Sequence, residues 1–218
     1  MASKRNSPPK PTTVLWVRHG KTPTTGAVLP GRAKGLHLAP EGVAQAERAG
    51  RRIAGIGEKK ITAVYASPME RTRETAKPIA RALGLRVRTA KGLIECDFGE
   101  WTGAKLSDLR KLKEWSQVQQ YPSGFRFPGG ESFSEMQGRV VDQAARLVAA
   151  HPGETIVAVS HADTIKAAVA HANGTHLDLF QRTVVSPCSI TAITYTFDGP
   201  YVLTVNSTGD DLSTLSLS

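Results

Sequence analysis

The sequence predicts an α/β protein, a three-layer α/β/α sandwich with a mostly parallel mixed central sheet. Short apolar, β-branched runs alternate with longer segments whose apolar residues recur every three or four positions, and this alternation is typical of strands separated by helices. Two β-rich runs, residues 188–197 and 201–205, stand together near the end of the chain and are joined by the turn residues Asp198, Gly199 and Pro200. The terminal antiparallel pair makes the predicted sheet mixed.

Length and composition favour one domain. The chain has 218 residues, of which 40% are hydrophobic, and this is enough to bury one substantial core. We expect a disordered basic tail over residues 1–11, a domain over residues 12–206, and a frayed C-terminal tail over residues 207–218. The first tail lacks the apolar stretch of a secretory signal, and no apolar run elsewhere is long enough to span a bilayer. We therefore expect a soluble cytoplasmic protein with no membrane partner.

The formal net charge of +9 could indicate a polyanionic partner, but the basic residues are dispersed and form no long block. With no recognisable nucleic-acid recognition module, a nucleic-acid partner is not expected. A small anionic substrate needs only a local cluster of cations. The two cysteines, Cys96 and Cys188, lack the spacing of a zinc site or of a disulfide framework, so we expect two buried thiols and no metal.

Each element in the first half of the chain has a local signal. Pro40 suits the first turn of a helix, and Ser67 with Pro68 resembles an N-cap followed by a first-turn proline. Pro78 lies inside the second helical pattern and predicts a kink or an early break. The expected elements are a strand at 12–17, a loop at 20–38, a helix from 39 closed by Gly55 and Gly57, a strand at 62–66, and a helix from 67 to about 83.

The second half continues the alternation. Ser132 and Glu135 match the capping-box pattern, and the apolar residues that follow continue a strong helix to about Ala150. The expected elements are a weak strand at 86–88, a loop at 93–102, one polar helix over 105–120, a turn-rich segment at 121–130, the capped helix, a strand at 155–159, and a helix from Ala162 to about 172.

Two histidines follow two of the predicted strands. Arg18, His19 and Gly20 end the first strand region, and Ser160 with His161 ends the strand at 155–159, so both histidines should reach one edge of the sheet. An imidazole can attack phosphorus directly, but only where positive groups neutralise the phosphoryl oxygens. The guanidinium of Arg18 is such a group, because its fork suits bidentate phosphate binding.

Four ordered segments carry a family resemblance. They are Arg18-His19-Gly20, Ser67-Pro68-x-x-Arg71-Thr72-x-x-Thr75-Ala76, Leu93-x-Glu95-x-Asp97-Phe98-Gly99-x-Trp101-x-Gly103, and Ser160-His161. Together they resemble the histidine phosphatase (phosphoglycerate-mutase-like) superfamily, in its phosphatase branch. The resemblance implies that His19 becomes phosphorylated, that Arg18, Arg71 and His161 bind the phosphate, and that Glu95 donates a proton. It implies no metal and no cofactor.

Further residues are candidates for substrate binding. Thr25 stands where many relatives carry a phosphate-binding Asn, and Lys21 adds positive charge that favours a more anionic substrate. Arg32 could reach the substrate from the long loop, and the backbone N–H of Ala162 would face the phosphate from a helix N-terminus. The proton donor could instead be Asp163, Asp97 or Glu100, but we favour Glu95.

The prediction is therefore a phosphoric monoester hydrolase that hydrolyses small phosphomonoesters through a phosphohistidine on His19. A phosphoglycerate-type mutase is the alternative within enzymes. A non-catalytic module that binds a phosphate ligand is the alternative outside them, and it would have no need of a proton donor. The sequence is compatible with a homodimer and leaves the substrate open.

Overall fold

The computed structural model describes residues 10–56 and 61–209. The strands of the described chain are β1 (Thr12–Arg18), β2 (Ile61–Ala66), β3 (Val87–Thr89), β4 (Thr155–Ser160), β5 (Ile190–Thr196) and β6 (Gly199–Ser207). Its α-helices are α1 (Pro40–Ala54), α2 (Glu70–Ala82), α3 (Leu106–Leu109), α4 (Trp115–Gln120), α5 (Phe133–Ala150) and α6 (Ala162–Ala172).

The strands form a mixed six-stranded sheet in the order β3-β2-β4-β1-β5-β6. β1, β2, β3 and β4 are mutually parallel where they pair, whereas β5 is antiparallel to both β1 and β6. The expected α/β class and the expected terminal antiparallel pair are thus confirmed. The strand predicted weakly at 86–88 is present as β3, one residue later.

Alternating residues of the central strands pack into two separate cores. Val14 and Trp16 of β1 belong to the cluster that includes residues of α5 and α6, while Leu15 and Val17 belong to the cluster that includes residues of α1 and α2. Successive side chains of a strand point to opposite faces of the sheet, so each face is covered by its own pair of helices. This is the three-layer arrangement that the sequence predicts.

The expected N-cap at Ser67 and the expected early break at Pro78 are wrong for α2, whereas the expected end of the helix near residue 83 is confirmed. The helix begins at Glu70, after Met69 as its N-cap, and the side chain of Ser67 makes no cap for it. Ser67 precedes a proline, which favours extended backbone, and its hydroxyl lies 2.9 Å from Nε2 of His161 instead. Pro78 does not break the helix, which continues to Ala82. Proline has no backbone N–H to donate within a helix, but Pro78 is buried, so tertiary packing keeps the helix continuous without that hydrogen bond.

The segment predicted as one helix over 105–120 forms two short helices, α3 and α4. One continuous helix would place Leu112 on the same stripe as Leu109 and Trp115, but the residue is 41% exposed. The chain turns at this point, and the ring of Trp115 stacks on Trp101 with 6.4 Å between centroids. The long-range contact therefore prevails over the helical propensity of the polar residues between the two helices.

The ends of the chain largely lie outside the described residues. Of the expected N-terminal tail, residues 1–9 are outside, and of the expected C-terminal tail, residues 210–218 are outside. The last strand, β6, runs to Ser207, one residue beyond the expected domain boundary. Gly57, expected to close α1, is outside as well; the helix ends at Ala54 and Gly55 is its C-cap.

The backbone just after β1 lies in close contact with the backbone at the start of α1. A Cβ atom on Gly42 would lie 2.1 Å from the backbone oxygen of Lys21. We expect Gly42→Ala to lower the free energy of unfolding by about 1–3 kcal/mol, because the two backbones must separate. Gly138→Ala is the matched control, since a Cβ there meets nothing within 4 Å on α5. It should raise the stability by about 0.5–1 kcal/mol through helix propensity. Urea unfolding midpoints measure both, and equal shifts would contradict the expectation.

Candidate active site

The site lies at the carboxyl ends of two neighbouring parallel strands. Arg18, the last residue of β1, pairs in register with Ser160, the last residue of β4. His19 and His161 are the next residues on each strand, and their rings stand edge to face with 5.3 Å between centroids. Both are buried. The structure thus brings together the two histidines that the sequence predicts at one sheet edge.

The ring of His19 is held in one tautomer. Its Nδ1 lies 2.8 Å from the backbone oxygen of Gly20, and because a carbonyl oxygen can only accept, Nδ1 carries the proton. The lone pair is therefore on Nε2. Burial lowers the pKa of His19 to about 3, with further lowering by the charges of Arg71 and Arg18. At neutral pH this imidazole is uncharged and can act as a nucleophile.

Two arginines surround the histidines. Arg71 is fully buried; its Nη2 donates to the backbone oxygen of Gly31 at 2.8 Å and to Nδ1 of His161 at 3.2 Å. Arg18 donates through Nη1 to the backbone oxygen of Val185 at 2.7 Å. Nε of Arg18 and both Nε and Nη1 of Arg71 are buried and have no hydrogen-bond partner within the described chain. Buried N–H groups are normally paired, so these unpaired guanidinium donors are suited to bind an anion.

Burial lowers the pKa of both guanidinium groups, and the negative charge of Glu95 opposes that effect. Arginine starts from so high a pKa that both groups stay charged in the working range of an enzyme.

His161 joins β2, β4 and α2. Its Nδ1 accepts from Arg71, so Nε2 carries the proton and faces the hydroxyl of Ser67 at 2.9 Å. Burial lowers the pKa of His161, and the charge of Arg71 lowers it further. The residue is also the N-cap of α6, and Ala162 is the first helical residue, as the sequence predicts. The N-terminus of α6 is therefore directed toward this edge of the sheet.

Glu95 is the carboxyl group that reaches the cluster. Its Oε2 lies 3.8 Å from Nδ1 of His161. The other oxygen, Oε1, accepts hydrogen bonds from the backbone N–H of Cys96 at 3.0 Å and from the hydroxyl of Thr164 at 3.3 Å. Burial raises the pKa of Glu95 to about 7, and the negative charge of Asp163 adds to the rise. The carboxyl group is thus able to hold a proton near neutral pH.

The rival acids have other partners. Asp163 forms an ion pair with Lys166 at 3.3 Å. Asp97 accepts from Arg32 at 3.2 Å and from the backbone N–H of Gly99 at 3.1 Å. These contacts support the preference for Glu95 as the group that exchanges protons.

Residues that no sequence motif marked hold the Glu95 loop in place. Arg139 of α5 donates at 2.8 Å to the backbone oxygens of both Gly92 and Ile94, and it forms a two-pronged ion pair with Glu131 at 2.9 Å. Arg139 adjoins the buried apolar stripe of α5, and Glu131 directly precedes its cap. In the sequence, the only indication of this role was a charged residue, Arg139, next to the buried apolar positions of α5.

Arg32 belongs to the same network. It donates to the backbone oxygen of Glu95 at 2.9 Å and also pairs with Asp97 and Glu131. On the sequence, Arg32 lies on a loop from which it could reach the substrate. In the structure its guanidinium is engaged by acids of the protein and by the loop that carries Glu95, and its contact with substrate stays a prediction.

The other two polar loop candidates are also engaged elsewhere. The hydroxyl oxygen of Thr25 accepts from the backbone N–H of Thr22 at 2.8 Å, so it stabilises its own turn. Lys21 is half exposed and pairs with Glu41 at 2.6 Å, at the start of α1. The structure does not bring either side chain into the cluster, and their contact with substrate stays a prediction.

The described chain contains no group of three or more His, Cys, Asp or Glu side chains placed to hold a metal ion. In the same residues, every helix is too short or too polar to cross a membrane. The thiols of Cys96 and Cys188 are buried and free. Burial raises the pKa of Cys96, and so does the charge of Glu95, so this thiol is a poor nucleophile.

Comparison with known proteins finds relatives along most of the chain. A bifunctional protein of Mycobacterium tuberculosis is 30% identical over 205 residues, which cover 91% of this chain and 55% of that protein. The chain therefore spans little more than half the length of this relative. Phosphoserine phosphatase 1 of Hydrogenobacter thermophilus is 28% identical over 180 residues, which cover 77% of this chain and 79% of that protein.

Solved structures share the same fold. YhfR of Bacillus stearothermophilus superposes with a TM-score of 0.84 at 24% identity, over 91% of this chain and 98% of that one. A mycobacterial glucosyl-3-phosphoglycerate phosphatase superposes with a TM-score of 0.80 at 21% identity, over 91% of this chain and 100% of that one. The sequence profile of the histidine phosphatase superfamily (branch 1) matches residues 14–208. The chain belongs to the histidine phosphatase superfamily, branch 1.

Proposed function

We propose that this protein is a phosphoric monoester hydrolase that acts on small phosphomonoesters through a phosphohistidine on His19. The observation that carries the proposal is the set of buried, unpaired N–H donors of Arg18 and Arg71 around an uncharged imidazole. Fixed cations of this kind neutralise the phosphoryl oxygens that would otherwise repel the nucleophile. The presence of named phosphatases among its relatives supports the same reaction class.

In the first step, the lone pair on Nε2 of His19 attacks phosphorus while the bond from phosphorus to the ester oxygen breaks. Glu95 transfers its proton to that oxygen, so the leaving group departs as a neutral alcohol. The two guanidinium groups hold the phosphoryl oxygens during the transfer. The hydrogen bond from Nδ1 to the oxygen of Gly20 stabilises the positive charge that develops on the ring.

In the second step, water attacks the phosphohistidine and the bond between phosphorus and Nε2 breaks. Glu95, now a carboxylate, accepts a proton from the water, and His19 returns to its neutral form. Inorganic phosphate and the protonated acid complete the cycle.

Two rival functions give different results in assay. A mutase would return the phosphoryl group to a second hydroxyl, so it would isomerise 3-phosphoglycerate more efficiently than it releases inorganic phosphate. A binding module would show neither turnover nor labelling with a broad panel of phosphomonoesters. The raised pKa of Glu95 supports an enzyme, because a binder needs no proton donor.

The proposal includes action in the cytoplasm. Two free buried thiols fit a reducing compartment. Cell fractionation with an antibody against the protein tests this part, and recovery in the secreted or membrane fraction would contradict it.

His19→Ala should lower kcat/KM for p-nitrophenyl phosphate by at least about 1,000-fold, because it removes the nucleophile. His176→Ala is the matched control, since the side chain of His176 is 69% exposed and lies on another part of the chain. It should keep wild-type activity. Wild-type protein quenched during turnover of labelled substrate should carry label that is stable to base and labile to acid. Undiminished turnover by His19→Ala would contradict the proposal.

The pH dependence of kcat/KM should report the protonation of Glu95 and not that of His19. Glu95 must be protonated in the first step, so kcat/KM for an alkyl phosphate should fall as the pH rises through about 7. His19 stays neutral down to about pH 3, so its protonation should not limit the rate above that pH. The second ionisation of the phosphomonoester, near pH 6, acts equally on every variant.

Glu95→Gln should abolish the base limb and lower kcat/KM for alkyl phosphates by about 100- to 10,000-fold. The loss should be smaller for p-nitrophenyl phosphate, whose leaving group needs little protonation. Asp163→Asn serves as the comparison, because it removes a charge that raises the pKa of Glu95 and should move the base limb to lower pH. A base limb that persists in Glu95→Gln would assign the proton donor to another residue.

A further inference from the structure

A cavity of about 320 Å³ lies between α6 and the segment that carries α3 and α4. One wall is apolar and includes Leu29, Phe98, Leu106, Trp115 and Val118. The polar part of the lining, called here the polar side, comprises Arg110, Gln119, Asp163, Lys166 and Gln181. The reaction steps described above use none of these side chains.

Two of the lining residues, Phe98 and Asp163, link the cavity to the candidate active site. Asp163 lies two residues beyond His161, and its charge acts on Glu95. Phe98 packs on Gly31, since a Cβ on Gly31 would lie 3.1 Å from the phenyl ring. The backbone oxygen of the same Gly31 accepts the hydrogen bond from Arg71. Through Gly31, the apolar wall thus contacts the loop segment to which Arg71 is hydrogen-bonded.

The polar side of the cavity presents hydrogen-bonding groups, and its partly buried charges are paired with each other. Nζ of Lys166 is 3.3 Å from Asp163 and donates at 2.9 Å to Oε1 of Gln181. The ion pair neutralises both of its members, and the amide nitrogen of Gln181 has no hydrogen-bond partner among the described residues. Arg110 also lines the cavity, but it is exposed at the rim, where water and salt screen its charge.

We propose that this cavity binds the alcohol part of the substrate, and that this part is an uncharged, largely apolar body about the size of one ring. The inference rests on the proposed function and goes beyond it by naming the substrate class. A volume near 320 Å³ is at the small end of ligand pockets, which fits one ring and little more. The apolar wall stabilises such a body by burying it, whereas a carboxylate or ammonium group would lose its hydration there.

Three esters of primary alcohols test the inference: 2-phenylethyl phosphate, ethyl phosphate and O-phosphoserine. The leaving oxygens are chemically similar, so differences in kcat/KM report binding of the rest of the alcohol. We expect kcat/KM for 2-phenylethyl phosphate to exceed the other two values by about tenfold or more, because the ring gains a buried apolar surface.

Trp115→Ala should remove most of this preference. The side chain lies on a short helix at the edge of the cavity and is half-buried, so the variant should fold. We expect kcat/KM for 2-phenylethyl phosphate to fall by about five- to tenfold while that for ethyl phosphate stays within about twofold. Trp115→Phe should restore most of the preference. Leu112→Ala is the matched control, because Leu112 lies on the same segment, is 41% exposed and does not line the cavity.

Ethyl phosphate separates failure of this inference from failure of the proposed function. If His19→Ala still hydrolyses ethyl phosphate, the proposed function itself fails. If wild-type protein hydrolyses ethyl phosphate through His19 but shows no preference for the phenyl ester, the substrate class is wrong. Equal losses on both esters in Trp115→Ala would assign Trp115 a structural role and overturn the cavity as the binding site. A preference for O-phosphoserine would contradict the proposal that the alcohol part of the substrate is uncharged.

Discussion

In-register parallel pairing of β1 with β4 is the constraint on which the site depends. Because Arg18 is opposite Ser160, the residues that follow each strand emerge side by side, and both happen to be histidines. A shift of the register by one residue would turn one imidazole to the other face of the sheet. The pairing is stabilised by apolar side chains on both faces of the two strands, so two cores, and not one, hold the histidines 5.3 Å apart.

Burial of positive charge then sets the chemistry of the site. Burial and the charges of the two guanidinium groups make protonation of His19 unfavourable, so the nucleophile is ready at neutral pH. The same burial acts in the opposite direction on a carboxyl group, and Glu95 keeps a proton to about pH 7. Burial thus prepares an uncharged imidazole and a protonated carboxyl group on a site where both adjoin His161.

Such a site needs support from outside the reacting groups. The loop that carries Glu95 has little regular structure, and its backbone oxygens are held by Arg139 and Arg32, which are joined through Glu131. Arg71 is likewise fastened to the long loop through the oxygen of Gly31. These contacts tie α5, α2 and two loops to one position of the carboxyl group, so its distance from His161 is set by the tertiary structure.

Much of this molecule follows from local patterns in the sequence. Patterns within single elements can be recognised without knowing what packs against those elements. They predicted the α/β class, the terminal antiparallel pair, the capping box at Ser132, and the position of His19 and His161 at one edge of the sheet. The start of α2, its continuation through Pro78 and the break between α3 and α4 were decided by contacts with distant residues. The same holds for the partners of Arg32 and Arg139, because a charged side chain selects its partner only after the fold has brought the acids within reach. Sequence alone therefore determined which residues could form the site, and tertiary packing decided which of them met.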